Sequence, residues 1–438
     1  MELQLGCAKI DITPTKPIPL AGFAARNNEP FSDVRDPIYV RALLFRQLEQ
    51  DGRHRYALVV SADLIWWGTD RMSDIRRTLE QRYGIPPERV VMNGTHSHSG
   101  PQTSFRFHRL LGQADEEYVS FLEQRLYEAV ERARADLEPI RIATGKGECR
   151  IGINRRKAAG RGFKFVGLNP EGPIDHEVNV ARFTTETGKT KAVLLPYACH
   201  PVITMDNAVS SEFPGAAAES LERELGEGAV CAFLQGCCGD INIYKALAGP
   251  ELTNDRDIIR HFGNCLAQSV RDVLGGPMTG RKPVPLAGVS ETIKLPLQPL
   301  PDMEQLSELA GKGESPYDEW AKEMIRSYPA RPDRMTLELN RLDIADGLSL
   351  LAMNAEVVVE YGLHVKRASN GNVWPVPYSN GMIGYVPTDA QIREGGYEPD
   401  TSTYYFHMPS RFAEGIEPLI RDKLGGLAAV LPTSEGSE

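Results

Sequence analysis

A strand, a helix and a second strand follow one another between residues 56 and 93, and this succession constrains the fold more than any other stretch. Residues 56 to 62 are largely apolar, as expected for a buried strand. A helix with apolar residues at helical spacing begins near Thr69, and Gly84 closes it. This order is typical of a parallel β-α-β unit. The sequence therefore predicts an α/β fold with a mixed or mainly parallel sheet core and flanking helices.

The second strand of this unit runs into a loop that contains two histidines. His96 and His98 follow the apolar run that starts at Val90, and Gly100 and Pro101 end regular structure beyond them. In an extended segment, side chains two residues apart point to the same side, so both rings could share one pocket. That arrangement suits one metal ligand and one proton carrier. The spacing alone does not fix a metal site, and it also fits a solvated loop with two incidental histidines.

A third histidine, His200, ends another apolar run and is followed by a proline. Here the segments Gly94–Pro101 and Cys199–Val202 resemble the two histidine motifs of the neutral, non-lysosomal ceramidase family, which are zinc amidases that cleave N-acyl sphingosine. Residues 6–14 and 61–63 are similar to the N-terminal region of that family. The resemblance covers most of the catalytic domain, and it implies that fold, a zinc ion and amide hydrolysis.

The resemblance also implies a ligand set for one Zn²⁺ ion per chain. The four ligands would all offer nitrogen or oxygen: His96, His200, Glu356 and Tyr385. Glu356 leaves an apolar, strand-like run, where an isolated charge needs a partner. Gly362, six residues further on, aligns Glu356 rather than Glu360 with the ligand position of the family.

Three further residues match catalytic positions of the family. His98 would carry the proton, Arg155 would face the scissile amide, and Tyr397 would polarise its carbonyl group. Tyr397 follows Tyr385 by twelve residues, the interval found in the family. Taken alone, Arg155 also fits a surface charge, and each tyrosine fits a half-buried packing residue.

The sequence departs from the family pattern at Asn242, where ceramidases carry a serine. An amide side chain cannot act as a nucleophile, but in a zinc mechanism the attacking atom comes from water. The surrounding glycine-rich turn lacks the Lys-Ser/Thr ending of a phosphate-binding loop. The chain also stops before the carboxyl-terminal β-sandwich domain of longer family members. These departures predict a smaller, more polar amide or ester in place of a long-chain ceramide.

Composition excludes several other classes of protein. The net charge is -10 with no compensating basic run, so the electrostatic pattern of a nucleic-acid-binding protein is missing. No apolar span reaches transmembrane length, and the N-terminus lacks the basic start and apolar centre of a signal peptide. We therefore expect a cytoplasmic protein that acts on a small molecule. The sequence leaves the oligomeric state open, including a homo-oligomer.

We expect residues 1–438 to form one catalytic domain with three parts. Residues 1–274 would form an α/β unit with both histidine motifs, and 336–438 would supply the glutamate and tyrosine ligands. Residues 275–335 would be a linker and a helical insertion.

Two alternatives come from other classes. One is a metal enzyme that acts on an ester, a lactone or a carbohydrate, for which three tryptophans could serve as sugar platforms: Trp66, Trp67 and Trp374. The other is a homologue that binds a metal or ligand and has lost catalysis, for which Asn242 is the positive hint.

Overall fold

The central element is a nine-stranded mixed sheet, here called the large sheet. It is seen in a computed structural model that describes residues 2–49, 51–158, 167–226, 228–313, 316–328 and 330–429. In spatial order its strands are Val230–Gln235, Thr190–Tyr197, Glu177–Thr185, Glu138–Glu148, Leu3–Asp11, Tyr39–Leu48, His54–Ala62 and Val90–Gly94, with Thr279–Arg281 paired to Glu138–Glu148. The predicted α/β class with a mixed sheet is confirmed.

Parallel pairing is confined to the two ends of this sheet. His54–Ala62 pairs in parallel with Val90–Gly94, and the helix Thr69–Tyr83 connects them, so the predicted β-α-β unit is confirmed. Thr190–Tyr197 pairs in parallel with Val230–Gln235. The pairs between these ends are antiparallel, so the sheet is mixed rather than mainly parallel.

A second sheet, here called the small sheet, covers one face of the large sheet. Its strands are Pro283–Pro296, Arg334–Ala345, Leu348–Met353 and Val373–Val376. Leu43 and Phe45 of the large sheet pack against Leu342 and Leu350 of the small sheet. The neighbouring Ala42 and Leu44 point the other way, because side chains alternate along a strand, and they pack in the core that contains the long helices.

Helices flank the sheets and supply the outer layer. Those within the described residues are Thr69–Tyr83, Glu116–Ala135, Glu212–Leu225, Asp255–Gly275, Met303–Ala310, Tyr317–Arg326, Val359–Ala368, Asp389–Glu394, Ser402–Tyr405 and Ile416–Ala428. Short 3-10 turns lie at Ala24–Arg26, Pro87–Arg89, Arg109–Leu111 and Lys245–Ala248, and a π-helical turn lies at Tyr397–Thr401. None of the helices described is long and apolar enough to cross a membrane.

Residues 275–335 differ from the expected linker with a helical insertion. Thr279–Arg281 joins the large sheet, and Pro283–Pro296 pairs with Arg334–Ala345. The expected helices are present as Met303–Ala310 and Tyr317–Arg326. Leu286, Ile293 and Leu295 of that strand are buried, which ties the stretch to the core. The division of the chain into one domain with three parts stays a prediction.

The large sheet curls so that its two ends meet near the histidine loops. The Gln235 N–H donates to Asn93 Oδ1 at 2.8 Å, and Ser61 Oγ donates to Phe233 O at 2.5 Å. Each of these bonds joins a residue from one end of the sheet to a residue from the other. The loops that follow Val90–Gly94 and Thr190–Tyr197 are thereby brought together.

Two short ladders complete this region. Glu356–Val357 pairs in parallel with Tyr385–Val386, and Ile241–Ile243 pairs with Gly152–Asn154. In the first ladder Glu356 lies directly beside Tyr385. Residues far apart in the sequence therefore converge at one place.

Candidate metal centre and active site

His96 is buried just beyond the strand Val90–Gly94, and a backbone carbonyl group holds its ring in one orientation. Its φ angle of 65° lies in the left-handed region, which is uncommon for a histidine. The ring Nδ1 lies 2.9 Å from Ile65 O. Because a carbonyl oxygen can only accept, Nδ1 is the donor in this contact, and Nε2 is the ring nitrogen that faces the site.

His200 is held in the same way after the strand Thr190–Tyr197. Its Nδ1 lies 2.6 Å from Cys238 O and 3.1 Å from Ile241 O, so this nitrogen is the donor. Burial lowers the pKa of His200 to about 4, although the nearby Glu356 carboxylate opposes that shift. The ring is therefore neutral at pH 7, with the lone pair of Nε2 facing inward.

Glu356 and Tyr385 bring oxygen atoms to the same point. Glu356 Oε2 lies 3.2 Å from His96 Nε2 and 3.4 Å from His200 Nε2, and the Tyr385 hydroxyl lies 3.5 Å from His200 Nε2. Burial acts to raise the pKa of Glu356, but positive charge and hydrogen-bond donors on the side of His96 and His200 outweigh burial and hold the pKa well below its usual range, so ionised Glu356 requires a proton or a metal ion on that side. Glu356 is therefore an ionised carboxylate inside the protein.

These donor atoms fit a metal ion. Among the described residues Glu356 Oε2 has no hydrogen-bond partner, and it faces His96 Nε2 and His200 Nε2. A buried carboxylate beside two imidazole nitrogens is stabilised by a proton or a metal ion placed between them. Ligand atoms placed tetrahedrally at about 2.0–2.2 Å from zinc are roughly 3.3–3.6 Å apart, close to the separations seen here.

His98 lies beside this group but is held differently. Its Nε2 is 3.2 Å from His96 Nε2, and donor atoms of His96, His98 and His200 all lie within 4.8 Å of one another. Distance alone therefore admits His98 as a metal ligand too. Its other nitrogen, Nδ1, has no partner among the described residues, so no backbone carbonyl fixes the tautomer.

Gly22 leaves the space that the His98 ring occupies. A Cβ atom at position 22 would lie 2.4 Å from His98 Nδ1, and the φ angle of Gly22 is +98°. Phe23 packs against the ring with centroids 4.9 Å apart. Burial and the facing His96 and His200 rings lower the pKa of His98 well below its ordinary value.

Arg155 is buried and anchored at two points. Its Nε donates to Glu398 Oε1 at 2.8 Å, and its Nη1 donates to Asn242 Oδ1 at 3.1 Å. The guanidinium also lies 5.5 Å from the ring centroids of Tyr385 and Tyr397. Its Nη2 is buried without a hydrogen-bond partner among the described residues, and its charge acts on the Tyr385 side chain beside it.

These side chains open onto one cavity of about 740 Å³. Four of the sequence-predicted residues line it: His98, Arg155, Tyr385 and Tyr397. Much of the remaining wall is apolar, including Phe23, Leu111, Val202 and Met205. Pockets of about 300–1,000 Å³ hold compact organic ligands. The structure thus brings together all seven residues singled out in the sequence, while their individual roles stay predictions.

The route by which His96 and His98 converge differs from the expected one. The strand ends at Gly94, and His96 has a left-handed backbone, so the two rings are not placed by alternation along an extended segment. The His96 N–H instead donates to Leu64 O at 2.9 Å, which fixes a turn. The glycine-rich turn after Val230–Gln235 also has a structural role. A Cβ at Gly239 would lie 3.0 Å from the Val357 backbone, so this glycine permits close packing.

Sequence reasoning missed Glu398 as a functional residue. Its buried carboxylate binds both Arg155 and Arg156 and thereby sets the position of Arg155. Its place directly after Tyr397 was the available signal, because a carboxylate in a buried segment needs a cationic partner. The three tryptophans proposed as sugar platforms are each at most 2% exposed, so none of them offers a surface to a carbohydrate.

Fold and site together define a class: a mixed α/β protein with a buried group of three histidines that could hold a metal ion. Comparison with known families is more specific. A sequence model described as neutral/alkaline non-lysosomal ceramidase, N-terminal, matches residues 3–256. The chain belongs to this family, and membership suggests a hydrolase. The matched region includes His96, His98, Arg155 and His200, whereas Glu356, Tyr385 and Tyr397 lie beyond it.

Two solved structures share the fold. The crystal structure of neutral ceramidase from Pseudomonas aeruginosa is similar with a TM-score of 0.75 and 19% identity, over 100% of this chain and 77% of that chain. A ceramidase complexed with C2 has a TM-score of 0.75 and 18% identity over the same shares. At 18–19% identity, this similarity shows that the chain shares the fold of these two structures.

Proposed function

We propose that the protein is a zinc-dependent hydrolase that cleaves an amide bond with water. The observation that carries this proposal is the buried group of possible metal ligands formed by His96 Nε2, His200 Nε2 and Glu356 Oε2, in which the carboxylate oxygen lies within 3.4 Å of both imidazole nitrogens. Membership of the ceramidase family supports the amide as the bond that is cleaved.

Four residues would hold the ion: His96, His200, Glu356 and Tyr385. Nitrogen and oxygen donors without a thiolate suit a catalytic zinc site. When bound, zinc supplies Lewis-acid chemistry that makes water more acidic and a carbonyl group more electrophilic. The backbone carbonyls at Ile65 and Cys238 keep the two imidazoles in the tautomer that this requires.

His98 would move the proton. Its Nε2 faces the same point as His96 Nε2, and it can take a proton from the attacking water and return it to the leaving nitrogen. The lowered pKa keeps the ring unprotonated and able to accept a proton, and Nδ1 has no partner within the described chain that fixes its tautomer. The same feature distinguishes His98 from the two histidines assigned as ligands.

Arg155 and Tyr397 would stabilise the carbonyl oxygen as it gains negative charge. Arg155 lines the cavity, and Glu398 and Asn242 hold its guanidinium in place. Preorganised donors of this kind are effective because they need no rearrangement during the reaction. That His98, Arg155 and Tyr397 line one cavity argues for a working enzyme over a homologue without catalysis.

We propose a compact, polar amide as the preferred substrate, with an ester as an alternative. Asn242 in place of the family serine supports a substrate other than long-chain ceramide, since its oxygen is engaged by Arg155. A cavity of about 740 Å³ lies in the range that holds a compact organic molecule.

The test is metal analysis of the purified protein followed by a screen of short N-acyl amides, esters, lactones and long-chain ceramide. We expect about one zinc per chain and cleavage of short amides that chelation abolishes. Cleavage of long-chain ceramide with kcat/KM of about 10⁴ M⁻¹s⁻¹ or more, with short amides untouched, would contradict the proposed substrate. A protein that binds no zinc and cleaves nothing would contradict the whole proposal.

A further inference from the structure

The charged residues around the cavity carry one sign. Among its described lining residues, Arg155 and Lys245 are the cationic side chains, and none is an aspartate or glutamate. The chain as a whole has a net charge of -10, so a cavity wall without carboxylates is unlike the protein's average surface. Such a wall attracts an anionic ligand and repels a cationic one.

The two cations lie at different depths. Arg155 is buried and anchored by Glu398 and Asn242, close to the candidate metal centre. Lys245 is exposed and begins the short helical turn Lys245–Ala248. Its Nζ donates to Ile203 O, and no carboxylate of the described chain forms an ion pair with it. Lys245 thus brings a positive charge to the cavity lining, although that charge also acts on the buried Glu212.

Asn242 and Lys245 are close to each other along the backbone. Asn242, which contacts Arg155, and Lys245 are three residues apart, and three residues span at most about 11 Å. Between them, Ile243 and Tyr244 line the same cavity. Arg155 and Lys245 border the same cavity, so one molecule bound there can face Arg155 with its carbonyl group and Lys245 with a group further along.

We infer that the preferred substrate is an amide that carries a carboxylate, which Lys245 binds while Arg155 faces the scissile carbonyl. This inference rests on the proposed amide hydrolysis and names its substrate class. The simplest member is an N-acyl amino acid. Hydrolysis breaks its C–N bond, adds the oxygen of water to the acyl carbon and a proton to the nitrogen, and releases a carboxylic acid and an amino acid.

The apolar part of the cavity wall would bind the acyl end of such a molecule, and Lys245 would bind its carboxylate end. Phe23, Leu111 and Met205 offer contacts to a short acyl chain, and Lys245 offers a donor to the carboxylate. A neutral amide of the same shape keeps the apolar contacts and loses only the charge-assisted bond. The charge preference can therefore be measured separately from binding of the acyl chain.

The experiment compares N-hexanoyl-alanine with its uncharged carboxamide, N-hexanoyl-alaninamide, on the zinc-loaded protein. We expect kcat/KM to be about tenfold higher for the carboxylate than for the carboxamide, which corresponds to the weaker end of the range for a hydrogen bond to a charged group. Added salt should reduce this difference. The mono-N-butylamide of adipic acid, with its carboxylate on the acyl side, shows which half of the substrate meets Lys245. Calorimetry on the metal-free protein should show the same preference in Kd.

Lys245→Gln should reduce the preference to about one, and Lys245→Arg should retain it. Lys312→Gln makes the same charge change far from the cavity lining and should leave the ratio as it is. Equal cleavage of charged and neutral amides by the unaltered protein, or an unchanged ratio in Lys245→Gln, would overturn this inference alone. Failure to cleave any amide in the panel would overturn the proposed function and this inference with it.

Discussion

The two sides of the site hold their side chains in different ways. On one side, here called the floor, His96 and His200 turn Nε2 toward the Glu356 carboxylate, because backbone carbonyls occupy both Nδ1 atoms. On the other side, here called the wall, His98 Nδ1 and Arg155 Nη2 have no partner within the described chain.

This difference assigns a ligand type to each side. A buried carboxylate beside two imidazole nitrogens is stabilised by a proton or a metal ion between them, whereas an unpaired guanidinium N–H needs an oxygen atom. A metal site also depends on fixed tautomers, while a proton carrier must be able to change its protonation state. The floor residues are thus assigned to binding of the ion and the wall residues to action on the substrate, and the following variants test this assignment.

The largest effect is expected at the floor, in Glu356→Gln. The amide can donate to His96 Nε2 or His200 Nε2, so it replaces the proton or ion that the carboxylate needs there. We expect loss of bound zinc and of activity, and a metal-free protein that is more stable by roughly 1–3 kcal/mol, the range for satisfying a buried polar group. Metal analysis and thermal unfolding with and without chelator measure these effects.

Glu360→Gln provides the matched control, since Glu360 lies one residue inside the helix Val359–Ala368, away from the histidines. It should keep zinc and activity. A Glu356→Gln protein that retains a full zinc complement would show that the floor is not the metal site.

A smaller effect is expected at the wall, in Gly22→Ala. The new Cβ would lie 2.4 Å from His98 Nδ1 and must displace the ring. Misplacement of a catalytic group by about 1 Å can cost about 10²-fold, so we expect kcat to fall by up to that factor with zinc content unchanged. Gly52→Ala shares the positive φ angle, at +82°, but meets no atom within 4 Å, so it controls for backbone strain. Equal kcat losses in both variants would argue against the contact with His98.

The smallest effect is expected in Asn242→Ala. Arg155 would lose the acceptor at Asn242 Oδ1 and keep its bond to Glu398, so its position becomes less defined. We expect kcat/KM to fall by about tenfold, which corresponds to one hydrogen bond to a charged group. Asn242→Asp retains an oxygen toward Arg155 and should lose less. If the aspartate variant loses as much as the alanine variant, Asn242 does not act through Arg155.

The sequence predicted the parts of the molecule that depend on local pattern. Apolar runs and glycine signals predicted the β-α-β unit, because burial and helix ends leave marks within a few residues. Motif resemblance brought Glu356 and Tyr385 to the same site, and the structure shows the physical reason, a short parallel ladder that pairs them. That ladder has only two residues in each strand, too few to show a strand pattern in the sequence.

Other features depend on contacts between distant segments and could not be predicted. The curl of the large sheet rests on bonds such as Gln235 to Asn93, and the clamp on Arg155 rests on Glu398, more than 200 residues away in the chain. The left-handed backbone of His96 is fixed by Leu64 O, so it leaves no signal in the His-x-His spacing. For the same reason the sequence around Lys245 carries no signal that this residue lines the cavity.

The central claim is that His200 binds the metal and His98 does not, although their donor atoms lie within 4.8 Å in one group with His96. The most direct test is zinc content per chain in His98→Ala and His200→Ala, measured beside the unaltered protein. We predict that His200→Ala loses zinc, and that His98→Ala keeps about one zinc while its turnover falls by roughly 10² to 10⁴, as for loss of a general acid/base. Loss of zinc in His98→Ala, or full zinc in His200→Ala, would contradict the account.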